Sequence, residues 1–325
     1  MFVRIEFYVD CSPSQGTGHV MRSSVLGLEL MRKGHSVCFF GTFSQPEWIW
    51  KYLDSNTICI HEQMFGHEHR DKPDLVFVDT YSQETFNKVL VSNPGQTIVS
   101  IEDDFTPKLP SAIRILQSME VPQRLRGETS VNSGIMCGFE YMLIRSSLTE
   151  LHFENAGNCQ FINVLVMSGG TNSTGFTEAF SKIAVQLKGI YRFHIIGEAS
   201  SNSSSDDDLL RFYPYGTRPE EIPTPFAAAV SLAGISSIEI LSAGIPLVVS
   251  AGTDNQLPLF QYLTLNAFAV PLSPKRGNYE WKFSVAELQT ALSEALSRDF
   301  MPNPFDFLGV ERILRNLEDW LNLKF

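Results

Sequence analysis

The side chains best suited to acid–base chemistry lie in one stretch of the sequence, residues 10–22 (DCSPSQGTGHVMR). An apolar run at 2–9 precedes it and predicts a strand, and the amphipathic run that follows, closed by Gly34, predicts a helix. A glycine loop between a strand and a helix points backbone N–H groups and the positive end of the helix dipole at the carboxyl edge of a parallel sheet. Gly16 and Gly18 give the loop the freedom to approach an anionic ligand there.

His19 is the candidate catalytic base. It stands at the start of the predicted helix, where the positive helix end disfavours the imidazolium, so we expect a neutral ring that can accept a proton near pH 7. A histidine that only caps or packs in a tight strand–helix turn is the alternative. The acid that orients the imidazole could be Asp10, Asp79 or Asp103, and the sequence does not choose among them.

Asp79 and Asp103 each follow an apolar run that is typical of a central parallel strand. Residues 74–79 end in Asp79 and lead to Tyr81, and residues 97–101 lead to Asp103. Polar groups at the carboxyl ends of such strands face the ligand cleft. Helix N-capping is the alternative role for both aspartates, because aspartate is a favoured N-cap.

A second glycine loop, SGGTN at 168–172, follows an apolar run and precedes a helical stretch at 176–187. It predicts a second phosphate cradle. Farther along, Gly234 and Ser236 open another predicted helix, where N–H groups and a small hydroxyl suit a diphosphate.

Glu239 lies one turn into that helix, where its carboxylate could accept hydrogen bonds from ribose hydroxyls. A solvated surface acid is the alternative interpretation. Strands and helices alternate in both halves of the sequence, which predicts α/β domains with doubly wound parallel sheets.

Composition narrows the function classes. The net charge of −11 argues against a nucleic-acid partner. Five cysteines without C-x-x-C spacing favour neither a disulfide framework nor a zinc site and indicate a reducing, cytoplasmic location. We expect no targeting segment, and no apolar run of the sequence is long enough to span a bilayer, so stable membrane insertion is not expected.

Two polar stretches invite a metal interpretation. The first holds His61, His67 and His69, and the second is the acidic run within the serine-rich residues 200–208. No cysteine or carboxylate lies at a spacing along the chain that would complete a tetrahedral set around the histidines, so solvated loops are the preferred interpretation of both stretches. We therefore predict no metal site.

Several motifs occur together in one order. They are Asp10 with GTGHVMR at 16–22, CGFEYMLIR at 137–145, SGGT at 168–171, the helix at 236–246 and NQ at 255–256. In these motifs the chain resembles the UDP-sugar hydrolase family of pseudaminic acid biosynthesis, the UDP-2,4-diacetamido-2,4,6-trideoxy-β-L-altropyranose hydrolases. The resemblance extends from the first strand to about residue 265. Its C-terminal motifs also occur in a wider group that includes the N-acetylglucosaminyltransferase of the lipid-linked peptidoglycan precursor.

The resemblance implies the GT-B architecture, two Rossmann-like domains with an interdomain cleft that holds the sugar nucleotide. Residues 1–145 would form the domain with the catalytic loop, and residues 146–325 the UDP-binding domain, ending in a helix at about 309–323. His19 would match the family histidine that activates the attacking water. The implied substrate and UDP contacts are Gly16, Gly18, Arg22, Tyr81, Gly169, Gly170, Thr171, Gly234, Ser236, Glu239, Asn255 and Gln256. Ile235 departs from the serine that relatives commonly carry there.

The expected reaction is a metal-independent, inverting hydrolysis of a UDP-linked acetamido sugar that needs no cofactor. UDP is a good leaving group, and helix ends and glycine N–H groups can stabilise its developing charge. The alternative is a GT-B glycosyltransferase in which His19 deprotonates an acceptor hydroxyl. The expected partners are the UDP-sugar and, beyond it, neighbouring enzymes of sugar biosynthesis.

Overall fold

The computed structural model divides into two compact units, Met1–Ile144 with Leu308–Phe325, and Arg145–Phe307. It describes residues 2–11, 17–41, 43, 47–56, 58–61, 72–111, 113–125, 134–150, 161–171, 174–187, 189–198, 209–275, 280–297 and 304–322. Gly16, His67, His69 and the stretch 200–208 lie outside the described residues, so the interpretations of them remain predictions.

The first unit is built on one parallel sheet. Its strands are β1 (Arg4–Val9), β2 (Ser36–Phe40), β3 (Cys59–His61), β4 (Leu75–Asp79), β5 (Thr97–Glu102), β6 (Ile113–Leu116) and β7 (Gly134–Cys137). Its first helices are α1 (Gly18–Arg32), α2 (Glu47–Ser55) and α3 (Gln83–Ser92). The strand order is β3-β2-β1-β4-β5-β6-β7, and each described pairing is parallel.

The central strands are apolar on both faces because helices cover both sides of the sheet. Phe7 lies directly opposite Phe39 in β2 and Phe77 in β4. The three rings are fully buried and stacked, with centroids 4.7 and 4.6 Å apart. This aromatic row fixes the register of the strands from which the site residues emerge.

The chain reverses its direction across the sheet between β1 and β4. After β1 it adds β2 and β3 on one side, and it then returns to place β4 on the other side of β1. In open α/β sheets, ligands bind outside the carboxyl ends of the strands at such a switch point. Helix α1 begins directly after β1 at this edge.

The second unit repeats the plan. Its strands are β8 (Ile162–Met167), β9 (Tyr191–Ile196), β10 (Leu210–Tyr213), β11 (Ala228–Leu232), β12 (Leu247–Ser250) and β13 (Val270–Pro271). Its helices are α4 (Phe176–Ala184), α5 (Ile235–Ser242), α6 (Leu257–Leu265) and α7 (Val285–Ser297). The order β10-β9-β8-β11-β12-β13 puts its switch point between β8 and β11. The predicted doubly wound α/β architecture is thereby confirmed in each unit.

The last helix, α8 (Gly309–Leu321), corrects the sequence-based assignment of the C-terminal helix to the second domain. Its apolar face, with Ile313 and Leu317 fully buried, belongs to the hydrophobic core of the first unit. Gly309 permits the close approach, because a Cβ there would lie 2.1 Å from the Met142 carbonyl oxygen. The helix packs on the first unit, although it follows the second unit in the sequence, because burying its apolar stripe in that core is favourable.

Within the described ranges, none of the helices has the length and apolar composition that a bilayer-spanning segment requires.

Candidate active site

The Asp79 carboxylate, at the carboxyl end of β4, is the centre of the site in the first unit. His19 Nδ1 lies 2.5 Å from its Oδ1. Arg22 binds it in bidentate fashion, from Nε to Oδ2 at 2.7 Å and from Nη2 to Oδ1 at 2.6 Å, and Ser23 Oγ donates to Oδ2 at 3.0 Å. All four side chains are buried, so these contacts are shielded from water.

Helical periodicity explains why one strand end collects three donors. Positions 19, 22 and 23 are separated by three and four residues and therefore share one face of α1. That face lies over the β1–β4 switch point, at which β4 ends. The sequence analysis did not identify Ser23, although the i, i+3, i+4 spacing of His19, Arg22 and Ser23 carries the signal.

The network decides which nitrogen of His19 carries the proton. An ionised carboxylate can only accept, so His19 Nδ1 must carry the hydrogen that points to Asp79 Oδ1. Arg22 Nη2, 3.3 Å from Nδ1, has Asp79 as its closer partner. Nε2 then holds the lone pair, which is the arrangement of a general base oriented by an acid.

Arg22 connects Asp79 to a second acid. Its Nη1 donates to Asp103 Oδ2 at 3.1 Å, and the Tyr81 hydroxyl donates to the same oxygen at 2.6 Å. The Tyr81 ring meets the His19 ring edge-on, with the centroids 4.5 Å apart. Tyr81, predicted to contact substrate, thus also fixes the imidazole plane and the position of Asp103.

The charges of this network stabilise one another. Burial alone would raise the pKa of Asp79, but the charges and hydrogen bonds of Arg22 and His19 outweigh it and lower the pKa from 3.8 to about 2. Burial likewise favours the neutral form of Asp103, and Arg22 and Tyr81 outweigh it, so its pKa is also lowered. Burial and the Asp103 charge raise the pKa of the Tyr81 phenol, which keeps it protonated as a donor.

Asp10, which the sequence offered as one of three acids that could orient His19, makes other contacts. Its carboxylate accepts a hydrogen bond from Thr80 Oγ1, and its backbone N–H donates to the Asp79 carbonyl oxygen at 3.0 Å. The acid in contact with His19 is therefore Asp79. Asp10 ties the loop after β1 to the end of β4, and its charge adds to burial in raising the pKa of the Cys11 thiol to about 11.

Gly18 is the first residue of α1, and the side chain of its N-cap, Thr17, makes no capping hydrogen bond. The first turn of α1 contains no acidic residue. The N–H groups at this helix start are therefore suited to an anionic ligand.

In the second unit, the predicted glycine loop follows β8 at the carboxyl edge. Gly169 has φ +93°, a conformation that glycine adopts without strain, and Gly170 and Thr171 follow it. Near the start of α4, the Thr174 carbonyl accepts hydrogen bonds from Lys275 Nζ and Trp281 Nε1, each at 3.0 Å. The sequence analysis missed Lys275, which brings a cation to the residue that precedes the N-cap of α4.

Two further segments leave the same edge of the second sheet. Gly234 is the N-cap of α5, and its backbone is joined to the Ser237 side chain at 2.6 and 3.2 Å. Ser236 is half-buried in the first turn of that helix. After β12, the Gln256 side chain accepts from the Gly252 N–H at 2.7 Å, and Asn255 accepts from Thr253 Oγ1.

Glu239 is not the solvated surface acid that was its alternative interpretation, because it is only 3% exposed. Arg145 holds its carboxylate through the backbone N–H at 3.2 Å and through Nε and Nη2, each at 2.9 Å. Arg145 closes the CGFEYMLIR motif, whose function the sequence did not reveal. A pinned, planar carboxylate is pre-organised to accept further hydrogen bonds.

Solved structures with the same plan span this chain almost completely. A glycosyltransferase of kitacinnamycin superposes with a TM-score of 0.60 at 14% identity, over 99% of this chain and 95% of that one. MurG of Acinetobacter baumannii gives 0.53 at 11% identity, over 97% and 99%. A UDP-N-acetylglucosamine 2-epimerase gives 0.60 at 12% identity, over 100% and 98%.

The chain has the GT-B fold. No protein-family model and no curated protein matches the sequence. The GT-B fold predicted from the sequence is therefore confirmed, whereas membership of the pseudaminic acid hydrolase family is not. Because a fold hosts several reactions, the chemistry has to be argued from the site of this GT-B protein itself.

The low pKa of Asp79 predicts how its contribution to stability depends on pH. The pKa is about 2 in the folded state against 3.8 ordinarily, so the stabilisation is present above 3.8 and is lost as the pH falls towards 2. We expect Asp79→Asn to lower the free energy of unfolding at pH 7. The difference in the free energy of unfolding between wild type and variant should narrow by up to about 2 kcal/mol below about pH 4.

Urea unfolding from pH 7 down to the lowest pH at which unfolding stays cooperative measures this gap. Asp319→Asn, on the exposed face of α8, is the control and should track wild type. A gap that stays constant down to pH 3 would contradict the charged network.

Proposed function

We propose that this GT-B protein is a nucleotide-sugar enzyme that transfers a sugar from a UDP donor to an acceptor hydroxyl, with His19 as the base. The observation that supports His19 as the base is its hydrogen bond to Asp79 at the β1–β4 switch point. Similar structures, a kitacinnamycin glycosyltransferase and a calicheamicin glycosyltransferase among them, support transfer better than the hydrolysis predicted from the sequence.

In the proposed reaction His19 Nε2 removes the proton of the acceptor hydroxyl while the hydroxyl oxygen attacks the anomeric carbon. The bond between that carbon and the UDP oxygen breaks, UDP departs with the electron pair, and the anomeric configuration inverts. The proton stays on His19 until the products are released. Asp79, held ionised by Arg22, stabilises the imidazolium through Nδ1–H and need not become protonated.

The second unit supplies the proposed nucleotide contacts. The glycine loop after β8 and the N-termini of α4 and α5 present N–H groups for a diphosphate, and Lys275 adds a cation near α4. These groups stabilise the charge that develops on UDP, which is the largest electrostatic demand of the reaction. Glu239, held in place by Arg145, accepts hydrogen bonds from the ribose hydroxyls.

Hydrolysis of a UDP-linked acetamido sugar is the second candidate. It is favoured by the GTGHVMR loop and the CGFEYMLIR motif, the specific part of the resemblance to the pseudaminic acid hydrolases. The same pair, His19 and Asp79 (the dyad), would activate water in place of an acceptor hydroxyl. The reactions differ only in what Nε2 deprotonates, so the dyad does not discriminate between them.

The test is UDP release from a panel of UDP-linked amino sugars, with and without a panel of hydroxyl acceptors. Transfer predicts that UDP release and a glycosylated product both depend on an acceptor, whereas hydrolysis predicts full release in water alone. Absence of release from every donor, with and without acceptors, by a protein that binds UDP would contradict both reactions.

Replacing His19 tests the base. We expect His19→Asn to lower kcat by about 10²-fold or more, because the variant keeps a polar side chain but has no group that can take the proton. UDP affinity should change little. The acidic limb of the wild-type pH–kcat/KM profile should be absent from the variant.

Glu29→Gln, on the outer side of the same helix, is the matched control and should keep both rate and profile. Near-normal kcat in His19→Asn, or an unchanged acidic limb, would assign the proton transfer to another group.

Glu239→Gln tests the ribose contact. The glutamine keeps the shape of the side chain but is a weaker hydrogen-bond acceptor than the carboxylate. We therefore expect UDP to bind more weakly by about 1.5–3 kcal/mol. Calorimetry with UDP and with 2′,3′-dideoxy-UDP separates recognition from folding. Wild type should prefer UDP and the variant should lose that preference, whereas equal weakening of both ligands would give Glu239 a structural role only.

A further inference from the structure

A group of three metal-ligating side chains lies at the β2–β3 edge of the first sheet, apart from the dyad. The parallel register sets Cys38 opposite Cys59 and Phe40 opposite His61. Because alternate residues of a strand share a face, Cys38, Cys59 and His61 project from the same side of the sheet. Cys59 and His61 alternate on β3, whereas Cys38 lies 21 residues before Cys59 and becomes its neighbour only through the strand pairing.

The three donor atoms converge. The Sγ atoms of Cys38 and Cys59 are 2.8 Å apart, and Cys59 Sγ lies 3.7 Å from His61 Nε2. One ligand atom from each residue falls within 4.8 Å of the other two. Zn–S bonds of about 2.3 Å and Zn–N bonds of about 2.0 Å at tetrahedral angles require ligand atoms separated by about 3.5–3.8 Å.

The His61–Cys59 separation already meets this requirement, and the two thiols need to open by about 1 Å, within reach of a small χ1 rotation. Neither Cys38 nor Cys59 forms a disulfide. Their separation also exceeds the disulfide bond length of about 2.05 Å.

The surroundings pre-organise the ligands and leave the group accessible. The His61 ring stacks on Phe40, with centroids 4.9 Å apart and planes 9° from parallel, which restricts the orientation of the imidazole. Cys38 packs against the apolar cluster under α3, and Cys59 is exposed to solvent. An ion can therefore reach ligands whose directions are already restricted.

We propose that Cys38, Cys59 and His61 form a site for a thiophilic d¹⁰ cation, with Zn²⁺ as the fitting ion. Two thiolates and a neutral imidazole suit zinc rather than the hard cations Mg²⁺ or Ca²⁺, and binding releases the two thiol protons. A solvent molecule completes the tetrahedron. The bound ion would fasten β3, a three-residue edge strand, to β2, and no group of the His19–Asp79 network takes part in the site.

This site was missed in the sequence because the metal interpretation of the histidine-rich stretch looked for ligands at nearby positions in the chain. Cys38 stands 21 residues before Cys59, too far for a spacing rule. Cys59 stands only two residues before His61, and the pairing of β2 with β3 adds Cys38 to them. The proposal is independent of the reaction catalysed by the dyad.

The experiment titrates the reduced, metal-free full chain with CoCl₂ and then ZnCl₂. We expect one equivalent of Co²⁺ to bind with thiolate-to-cobalt charge transfer and the strong visible bands of tetrahedral coordination, and Zn²⁺ to displace it. Cys59→Ser at an exposed position and His61→Asn at a half-buried one should each weaken binding by about 100-fold or more. Cys137→Ser, on β7 of the same sheet, is the matched control and should bind like wild type.

Melting of the same proteins gives a second readout. Zn²⁺ should raise the Tm of wild type and of Cys137→Ser but not that of Cys59→Ser. Octahedral cobalt spectra, equal affinity in wild type and Cys59→Ser, or a Cys38–Cys59 disulfide that persists in a reducing glutathione buffer and blocks metal uptake would each overturn the proposal.

Discussion

The buried Asp79 carboxylate is the charge on which the arrangement of the first unit's site depends. It joins the end of β4 to the first turns of α1 through His19, Arg22 and Ser23. Removing one partner of such a network leaves another charge buried without compensation, which typically costs several kcal/mol. The contacts that orient His19 are thus also contacts that hold the helix on the sheet, so a change to the proposed base would also change stability.

The scaffold makes that coupling possible by bringing α1 close to the sheet. Gly27 faces Phe39, and a Cβ at this position would lie 2.8 Å from the ring. The phenylalanine row of β1, β2 and β4 then gives the helix a flat, rigid support. Because protein interiors are close-packed, a shift of the helix would be resisted by this layer, so the position of His19 is set by packing as well as by Asp79.

The two units show the same physical solution with different chemistry. In each, strand ends at a switch point carry the polar groups, as doubly wound sheets generally do. The first unit concentrates charges of both signs around a histidine, whereas the second combines glycine-rich turns with the Arg145–Glu239 pair. The nucleotide site proposed for the second unit is compatible with the net charge of −11, because local N–H groups and helix ends outweigh the net charge at short range.

The sequence by itself determined the alternation of strands and helices, since hydrophobic periodicity is a local property. The GT-B architecture was implied by the resemblance of its motifs, and the fold bears it out. Only the tertiary structure decided that Asp79 orients His19, that α8 joins the first unit, and that Cys38 meets Cys59. Each of these depends on strand order, register or the docking of an apolar stripe. Such pairings are set by the burial of the whole core, and no short stretch of sequence encodes them.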